Sequence, residues 1–192
     1  MQDWFSMIMK KIDIRNATRA DIPFVAESVL AAIDLYDFTG ECAELESTVT
    51  VCSEDDTLYS YKNARIAEVD GTAAGCLISY NGNGYAESRE KTFAMFAEMG
   101  IHINIGGAET GPGEYYLDSM AVKPEYRGLQ LGHLLMEDAL NLARRSGDCL
   151  KAGLLVEKGK PRLKDYYARL GFTIEKEMEA FGSRFYKMTL VL

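Results

Sequence analysis

The sequence has few of the residues that metal sites and disulfide frameworks require. Its 192 residues include two histidines and four cysteines, and no C-x-x-C or other metal-ligand spacing is present. No apolar run approaches the roughly 18–20 residues that a membrane-spanning helix needs. The start, MQDWFSMIMKK, lacks the long apolar core of a secretory signal peptide. We therefore expect a cytoplasmic protein that has reduced cysteines, binds no metal and has no membrane partner.

The sequence is also short of positive charge. Its 21 Lys and Arg residues against 29 Asp and Glu residues give a formal net charge of −8. This balance argues against a nucleic-acid partner, because such binding depends on neutralising phosphates, but it is compatible with attracting a cationic amine. A length of 192 residues suits one domain with a substantial core, and no repeat or low-complexity linker marks a boundary. We therefore predict a single domain over residues 1–192.

The most informative segment runs from Glu114 to Gly147. The β-forming stretch EYYLDSMAV is followed by Pro124, which removes a backbone donor and ends a strand. After the loop RGLQLG, apolar residues recur at the spacing of a helix, which Gly147 can close in a left-handed cap. A loop that leads into a helix N-terminus presents backbone N–H groups, so this pattern is typical of a phosphate site.

The loop does not match two common phosphate motifs, because it lacks both a Gly-Lys-Ser/Thr ending and the G-x-G-x-x-G spacing. Instead, MAVKPEYRGLQLGHLLM resembles the acetyl-CoA-binding motif of the GCN5-related N-acetyltransferase (GNAT) superfamily. In that motif a strand ending in A-V-x-P precedes Arg or Gln-x-x-Gly-x-Gly or Ala and then a helix. Arg127 and Gly132 match its two ends, whereas Gln130 stands where the family usually has glycine.

A second segment, LKAGLLVEKGKPRLKDYYARLGF, resembles the family's strand followed by N-x-x-A-x-x-F-Y-x-x-L-G-F. In this alignment Tyr167 falls on the family's tyrosine and Lys160 on its asparagine. Core packing is the alternative for both tyrosines of the Tyr166-Tyr167 pair. We predict that Tyr166 packs with Leu163 and Leu170, while Tyr167 turns towards the ligand cleft.

The resemblance implies an α/β fold with a mixed, mostly antiparallel central sheet of about seven strands, flanked by helices and splayed between the fourth and fifth strands. It also implies acetyl-CoA as co-substrate, with the pantetheine arm in the splay, and an insert at about residues 85–113. A bulge or bend near Met120-Ala121 would free backbone groups for the pantetheine. The implied cofactor-binding residues are Met120, Ala121, Val122, Arg127, Gly128, Leu129, Gln130, Leu131, Gly132, His133 (through its backbone N–H) and Lys160.

The remaining elements are predicted from periodicity and turn residues. Asp70-Gly71 is a favoured two-residue hairpin turn between two of the strands. The predicted strands are Ile12–Thr18, Ala64–Val69, Ala73–Tyr80, Glu114–Val122, Leu154–Val156, Thr173–Ala180 and Phe185–Leu192. The further predicted helices are Ala20–Leu35, one between Glu41 and Cys52, and Glu87–Gly100.

Amine acetylation needs two proton transfers. A lysine-like amine has a pKa near 10.4, so a base must remove its proton before it can attack a thioester. Glu114, Tyr116 and Asp118 alternate onto one face of the central strand. Some members of the superfamily carry a catalytic glutamate eight residues before the V of A-V-x-P, a spacing that Glu114 matches, and others six before, where Tyr116 stands.

The predicted catalytic residues are therefore Glu114, Asp118 and Tyr167. Glu114 is the predicted general base, acting through a water, with Asp118 as its rival. The alternatives are a solvated residue at a strand start for Glu114 and a structural acceptor for Asp118. Tyr167 is predicted as general acid to the departing sulfur, or as a hydrogen bond that merely orients it.

The acceptor side is predicted to involve two acidic segments, Tyr36–Asp56 and Tyr85–Gly113. Acidic walls favour a cationic acceptor such as a polyamine, an aminoglycoside, or a lysine or N-terminus of a peptide. Solvated helix faces are the alternative, and the glycines at 106, 107, 111 and 113 suit either a lid or a plain connection.

We expect an N-acetyltransferase for a small-molecule amine or peptide. The alternatives are a non-catalytic acyl-CoA-binding module and an acyltransferase for a longer acyl chain or a hydroxyl acceptor. Many relatives are dimers, so a homodimer is also an expectation.

Overall fold

A seven-stranded mixed sheet organises the computed structural model, which describes residues 10–104 and 106–192. Residues 1–9 of the predicted domain and residue 105 of the predicted insert lie outside the described residues. The strand order is β1-β2-β3-β4-β5-β7-β6, and every neighbouring pair is antiparallel except β4–β5. This confirms the predicted fold class. The strands are β1 Ile12–Asn16, β2 Ala64–Val69, β3 Thr72–Asn81, β4 Glu114–Val122, β5 Lys151–Glu157, β6 Thr173–Ala180 and β7 Ser183–Val191.

Five α-helices flank the sheet in the part of the chain that the structure describes: α1 Ile22–Ala32, α2 Leu45–Ser53, α3 Tyr85–Glu98, α4 Leu131–Ser146 and α5 Pro161–Arg169. The apolar stripe of α4 packs in one core cluster together with Tyr167 of α5, and α1 packs in a second cluster with Tyr80 and Tyr116. The sheet therefore separates an α4–α5 layer from an α1 layer. None of these helices has the length and apolar content needed to cross a membrane.

Several predicted boundaries shift by a few residues for local reasons. The first helix begins at Ile22 rather than Ala20, because Arg19–Asp21 form a 3₁₀ turn in which the Asp21 carboxylate accepts a hydrogen bond from the Thr18 backbone N–H. The hairpin turn is as predicted: Asp70 and Gly71 both have positive φ, 51° and 80°. That backbone matches the twist of the β2 and β3 strands that it joins.

The sheet opens between β4 and β5. These parallel strands pair over only three positions, from Glu114 opposite Lys151 to Tyr116 opposite Gly153. Beyond Tyr116, β5 continues alongside β7, while β4 continues alongside β3. The predicted splay between the fourth and fifth strands is therefore present, and the β5-facing edge of β4 is left unpaired beyond Tyr116.

A β-bulge interrupts β4 within the splay. Ile78 of β3 lies opposite Ser119, but the next residue, Ser79, lies opposite Leu117, so Asp118 has no partner. The predicted bulge near Met120-Ala121 thus occurs two residues earlier. A bulge changes the direction of side chains. Here it brings Asp118 within hydrogen-bonding reach of Tyr80 on the neighbouring strand.

Candidate active site

A cleft of about 640 Å³ lies at the open end of the splay. It is bounded by the end of α1 and the loop after it, by the last residues of β4, and by the start of α5. The structure brings five of the predicted cofactor-binding residues together in its lining: Met120, Ala121, Val122, Arg127 and Lys160.

The loop before α4 has the conformation of an anion site. Gly128 and Gln130 both have positive φ, 85° and 60°, and Gln130 is the N-cap residue of α4. Among the described residues, none accepts a hydrogen bond from the backbone N–H groups of 128–133. These groups, together with the positive end of the helix dipole, are free to bind phosphate oxygens. The motif usually has glycine at this position, and glycine adopts the left-handed conformation at no steric cost. Gln130 is therefore a local departure from the motif.

A second cavity, of about 520 Å³, lies deeper in the splay. Glu109, Tyr116 and Asp118 line it, and it shares Asp34 and Lys160 with the cofactor cleft. The Lys160 Nζ lies 2.5 Å from Asp34 Oδ2, so an ion pair between the end of α1 and the start of α5 stands where the two cavities meet.

Glu109 is a buried carboxylate in the wall of the deeper cavity, with 8% of its surface exposed. Its Oε2 accepts a hydrogen bond of 2.7 Å from the Tyr116 hydroxyl. The Tyr85 hydroxyl lies 3.4 Å from its Oε1 and 3.2 Å from its backbone nitrogen. Burial, together with the negative charge of Asp118, raises the pKa of Glu109 to about 7. The two carboxylates therefore resist being ionised at the same time.

Asp118, the bulged residue, lines the same cavity. Its Oδ2 accepts a hydrogen bond of 2.5 Å from the Tyr80 hydroxyl and its Oδ1 one of 2.9 Å from Ser119 Oγ. Burial raises its pKa, although both hydroxyls lower it by stabilising the carboxylate. Of the three side chains predicted to share one face, Tyr116 and Asp118 line this cavity together with Glu109, whereas Glu114 does not.

Glu114 lines neither cavity. Its side chain is buried in an ion pair with Lys187, whose own exposure is 2%, and it accepts a hydrogen bond of 2.7 Å from Thr110 Oγ1. Lys151 lies 3.3 Å away on the other carboxylate oxygen. A side-chain carbon at position 153 would collide with this carboxylate, which explains the glycine there. The surroundings of Glu114 are those of a structural carboxylate.

The segment 106–113, which carries Glu109, is fixed by close backbone packing. A Cβ on Gly82 would collide with the Gly111 carbonyl, and one on Gly106 would lie 2.7 Å from the Glu179 carbonyl oxygen. Lys187 Nζ donates a hydrogen bond of 2.6 Å to the Glu109 carbonyl oxygen. The glycines at 106, 107, 111 and 113 are predicted either to hinge a lid or to form a plain connection, and this packing favours the plain connection. In the sequence, Glu109 is one of the acidic residues of the segment Tyr85–Gly113, and its place between glycines just before the central strand is the signal that distinguishes it.

Tyr167 is 8% exposed and packs on the α4–α5 side of the sheet, with its ring centroid 5.2 Å from that of Tyr166 and 6.0 Å from that of Phe172. It lines neither cavity, so the predicted turn of its side chain towards the ligand cleft is not observed, and no described residue hydrogen-bonds to its hydroxyl. Burial raises its pKa, so the phenol keeps its proton at neutral pH. Tyr166 is partly buried and packs in the same cluster as Leu163 and Leu170, as predicted.

Comparisons with known proteins agree with this geometry. The family model described as Acetyltransferase (GNAT) family matches residues 33–172. A solved structure described as an acetyltransferase is 24% identical with a TM-score of 0.75, over 93% of this chain and 98% of its own. An N-acetyltransferase from Staphylococcus aureus Mu50 is 20% identical with a TM-score of 0.74, over 93% and 100%. The yncA protein of Salmonella typhimurium, solved with its cofactor acetyl-CoA, is 16% identical with a TM-score of 0.60, over 94% of each chain. No curated protein matches the chain.

Proposed function

Because this chain belongs to the acetyltransferase (GNAT) family, we propose that it transfers the acetyl group of acetyl-CoA to a primary amine. One observation carries the proposal: at the splay of β4 and β5, a cleft beside a phosphate-type loop meets a cavity that contains two carboxylates. The cleft suits a long phosphorylated cofactor, and the cavity suits a cationic acceptor.

The cofactor is assigned to the cleft in two parts. The pyrophosphate binds Arg127 and the free backbone N–H groups of 128–133, at the positive end of α4. The pantetheine arm lies along Met120, Ala121 and Val122, at the edge of β4 that β5 leaves unpaired. Lys160, at the junction of the two cavities, lies near the thioester end.

We propose Glu109 as the general base. It lines the acceptor cavity, and a pKa of about 7 suits a base that must accept a proton from an ammonium group near neutral pH. Asp118 attracts the ammonium and, by its charge, keeps the pKa of Glu109 high. The buried ion pair of Glu114 supports a structural role for that residue.

The proposed reaction has two proton transfers. The acceptor ammonium gives a proton to Glu109, and the neutral nitrogen attacks the thioester carbonyl carbon to form a C–N bond. The C–S bond then breaks, and Tyr167 protonates the departing thiolate while its phenolate takes up the second proton of the attacking nitrogen, so that the amide, the CoA thiol and the phenol all end neutral. The match of Tyr167 to the family's tyrosine motif supports this assignment.

The first experiment is a calorimetric titration with acetyl-CoA, with adenosine diphosphate as control, followed by an assay of thiol release with a panel of amines. We expect micromolar binding of acetyl-CoA and amine-dependent release of thiol. Tyr167→Phe should bind acetyl-CoA as the wild type does but lose turnover, whereas the control Tyr166→Phe should keep it. Binding without turnover of any amine would favour a non-catalytic acyl-CoA-binding module, and faster turnover of longer acyl-CoAs would overturn the acetyl assignment.

A further inference from the structure

The cavity that contains Glu109 and Asp118 has mostly apolar walls. Side chains from α1, α3, β5 and the β6–β7 hairpin line it: Val29, Leu30, Phe93, Phe96, Leu155 and Phe185. Such walls favour apolar ligand surface, because removing that surface from water is favourable. Apart from Glu109 and Asp118, the carboxylates in the lining are those of Asp34, Glu44 and Glu157.

The mouth of this cavity is also apolar. Seven large hydrophobic side chains are exposed among the described residues, and four of them line this one cavity: Ile33, Leu35, Ile103 and Phe181. Exposed apolar side chains that cluster around an opening mark a ligand site. Glu109 and Tyr116 are buried in the wall, whereas most of the remaining lining is apolar.

We infer that the acceptor is a primary monoamine on a hydrophobic, aromatic body, in the chemical class of the arylalkylamines. Its ammonium lies at Glu109 and Asp118, and its ring lies among the phenylalanines, where aromatic pairs add to the energy of burial. A volume of about 520 Å³ is ordinary for a small-molecule ligand. This inference rests on the proposed acetyl transfer and names the substrate of the same site.

Polyamines and aminoglycosides fit this cavity poorly. Each further ammonium or hydroxyl group would lose its water against apolar walls, which is unfavourable where no hydrogen bond replaces that water. Asp34, Glu44 and Glu157 also line the cavity. Asp34 is exposed and already paired with Lys160, and the two glutamates are partly exposed, so solvent weakens their attraction for a second charge.

A peptide acceptor would bring amide groups that need partners in the same walls. Two of the hydroxyls that line the cavity already donate elsewhere, Thr48 to the Glu44 carbonyl oxygen and Ser119 to Asp118, and most of the remaining wall is apolar. The wall therefore favours a small aromatic amine over a peptide.

The test compares 2-phenylethylamine and tryptamine with spermidine, kanamycin and a peptide that begins with phenylalanine, in the thiol-release assay at saturating acetyl-CoA. We expect kcat/KM for the two arylalkylamines to exceed that of the others at least tenfold. Binding of 2-phenylethylamine in the presence of CoA, measured by calorimetry, tests the cavity without turnover.

A variant at the mouth tests the wall itself. Phe181 has a φ of 50° in the turn before Gly182, a backbone that asparagine tolerates, so Phe181→Asn removes the ring without straining the turn. We expect it to weaken 2-phenylethylamine binding about fivefold, because a partly exposed ring contributes part of the energy of full burial. Leu150→Asn, at an exposed leucine that does not line the cavity, is the matched control and should leave 2-phenylethylamine binding unchanged.

The outcomes separate this inference from the proposed function. Faster acetylation of spermidine, kanamycin or the peptide would overturn the arylalkylamine class and leave acetyl transfer standing. No turnover of any amine, together with binding of 2-phenylethylamine that depends on Phe181, would overturn acetyl transfer and support the ligand class. Binding that is equal in wild type and Phe181→Asn would overturn the assignment of the ring to this wall.

Discussion

The Tyr116 hydroxyl lies 2.7 Å from Oε2 of Glu109 and donates a hydrogen bond to it. Tyr116 comes from the central strand, whereas Glu109 comes from the loop before it. Lys187 Nζ lies over the ring of this tyrosine, 4.6 Å from the ring centroid, and donates a hydrogen bond to the Glu109 carbonyl oxygen. A buried lysine, a phenol and a carboxylate thus form one connected unit beside the acceptor cavity.

The first prediction concerns the pH profile of the reaction. If Glu109 is the base, wild-type kcat/KM should rise with pH through about 7, the pKa of that carboxyl, because only the carboxylate accepts a proton. Glu109→Gln should lose this limb together with about 10²–10⁴-fold in rate, the usual contribution of a general base. Glu44→Gln, at a glutamate in the same cavity, is the matched control and should keep both the pH limb and the rate of the wild type. A profile for Glu109→Gln that still turns near pH 7 would remove Glu109 from the mechanism.

The second prediction separates the two carboxylates. The charge of Asp118 is one cause of the raised pKa of Glu109, so Asp118→Asn should move the acid limb of kcat/KM to lower pH. The asparagine oxygen can still accept the hydrogen bond from Tyr80. The measurement is the same pH–rate profile. Loss of the limb, rather than a shift, would make Asp118 the base.

The third prediction concerns stability. The folded-state pKa of Glu109, about 7, lies above that of an ordinary glutamate near 4.5. Between these values the native state binds more protons than the unfolded state, so stability falls as the pH rises through this window and stays lower above it. Glu109→Gln removes this loss, and should therefore match the wild type at pH 4 and melt several degrees higher at pH 8. Each kcal/mol shifts the Tm of a domain this size by about 2–4 °C. Equal melting temperatures at pH 8 would mean that burying the ionised carboxylate does not lower the stability of the folded protein.

The fourth prediction concerns the phosphate loop. Gln130 has a φ of 60°, a conformation open to glycine and asparagine but costly for β-branched residues. Gln130→Gly and Gln130→Asn should keep the acetyl-CoA affinity of the wild type. Gln130→Val should weaken it about tenfold, since roughly 1–2 kcal/mol of strain would open the loop. Calorimetric titration of all three measures this, and equal affinity of the valine variant would show that the left-handed residue does not shape the site.

The elements that the sequence predicted well are those with local causes. Pro124 ends β4, the apolar spacing forms α4, and Gly147, with a φ of 70°, closes it. Even the left-handed conformation at Gln130 follows from its place in the motif, where the family has glycine. These signals lie within a few residues of what they determine.

The environment of the carboxylates depends instead on distant parts of the chain. Lys187 reaches Glu114 across 73 positions and the Glu109 carbonyl across 78. Strand alternation placed Glu114 and Asp118 on one face, but it could not show that one carboxylate is neutralised by a lysine from the last strand. The bulge at Asp118 likewise arises from the register with β3, which the β4 sequence alone does not specify.

The last prediction tests the role of Glu114 through a double-mutant cycle. Glu114→Gln leaves Lys187 buried without its main counter-charge, and breaking a buried pair costs about 3–5 kcal/mol. Lys187→Met should cost less, because Glu114 keeps Lys151 as a partner. The double variant should recover part of the loss, since no unpaired lysine is then buried, and unfolding in urea measures all three. At a temperature where each variant is folded, the acid limb of kcat/KM should stay near pH 7, because it belongs to Glu109. If Glu114→Gln instead abolished that limb and the double variant did not restore it, Glu114 would be the base and the ion pair would be part of the catalytic machinery.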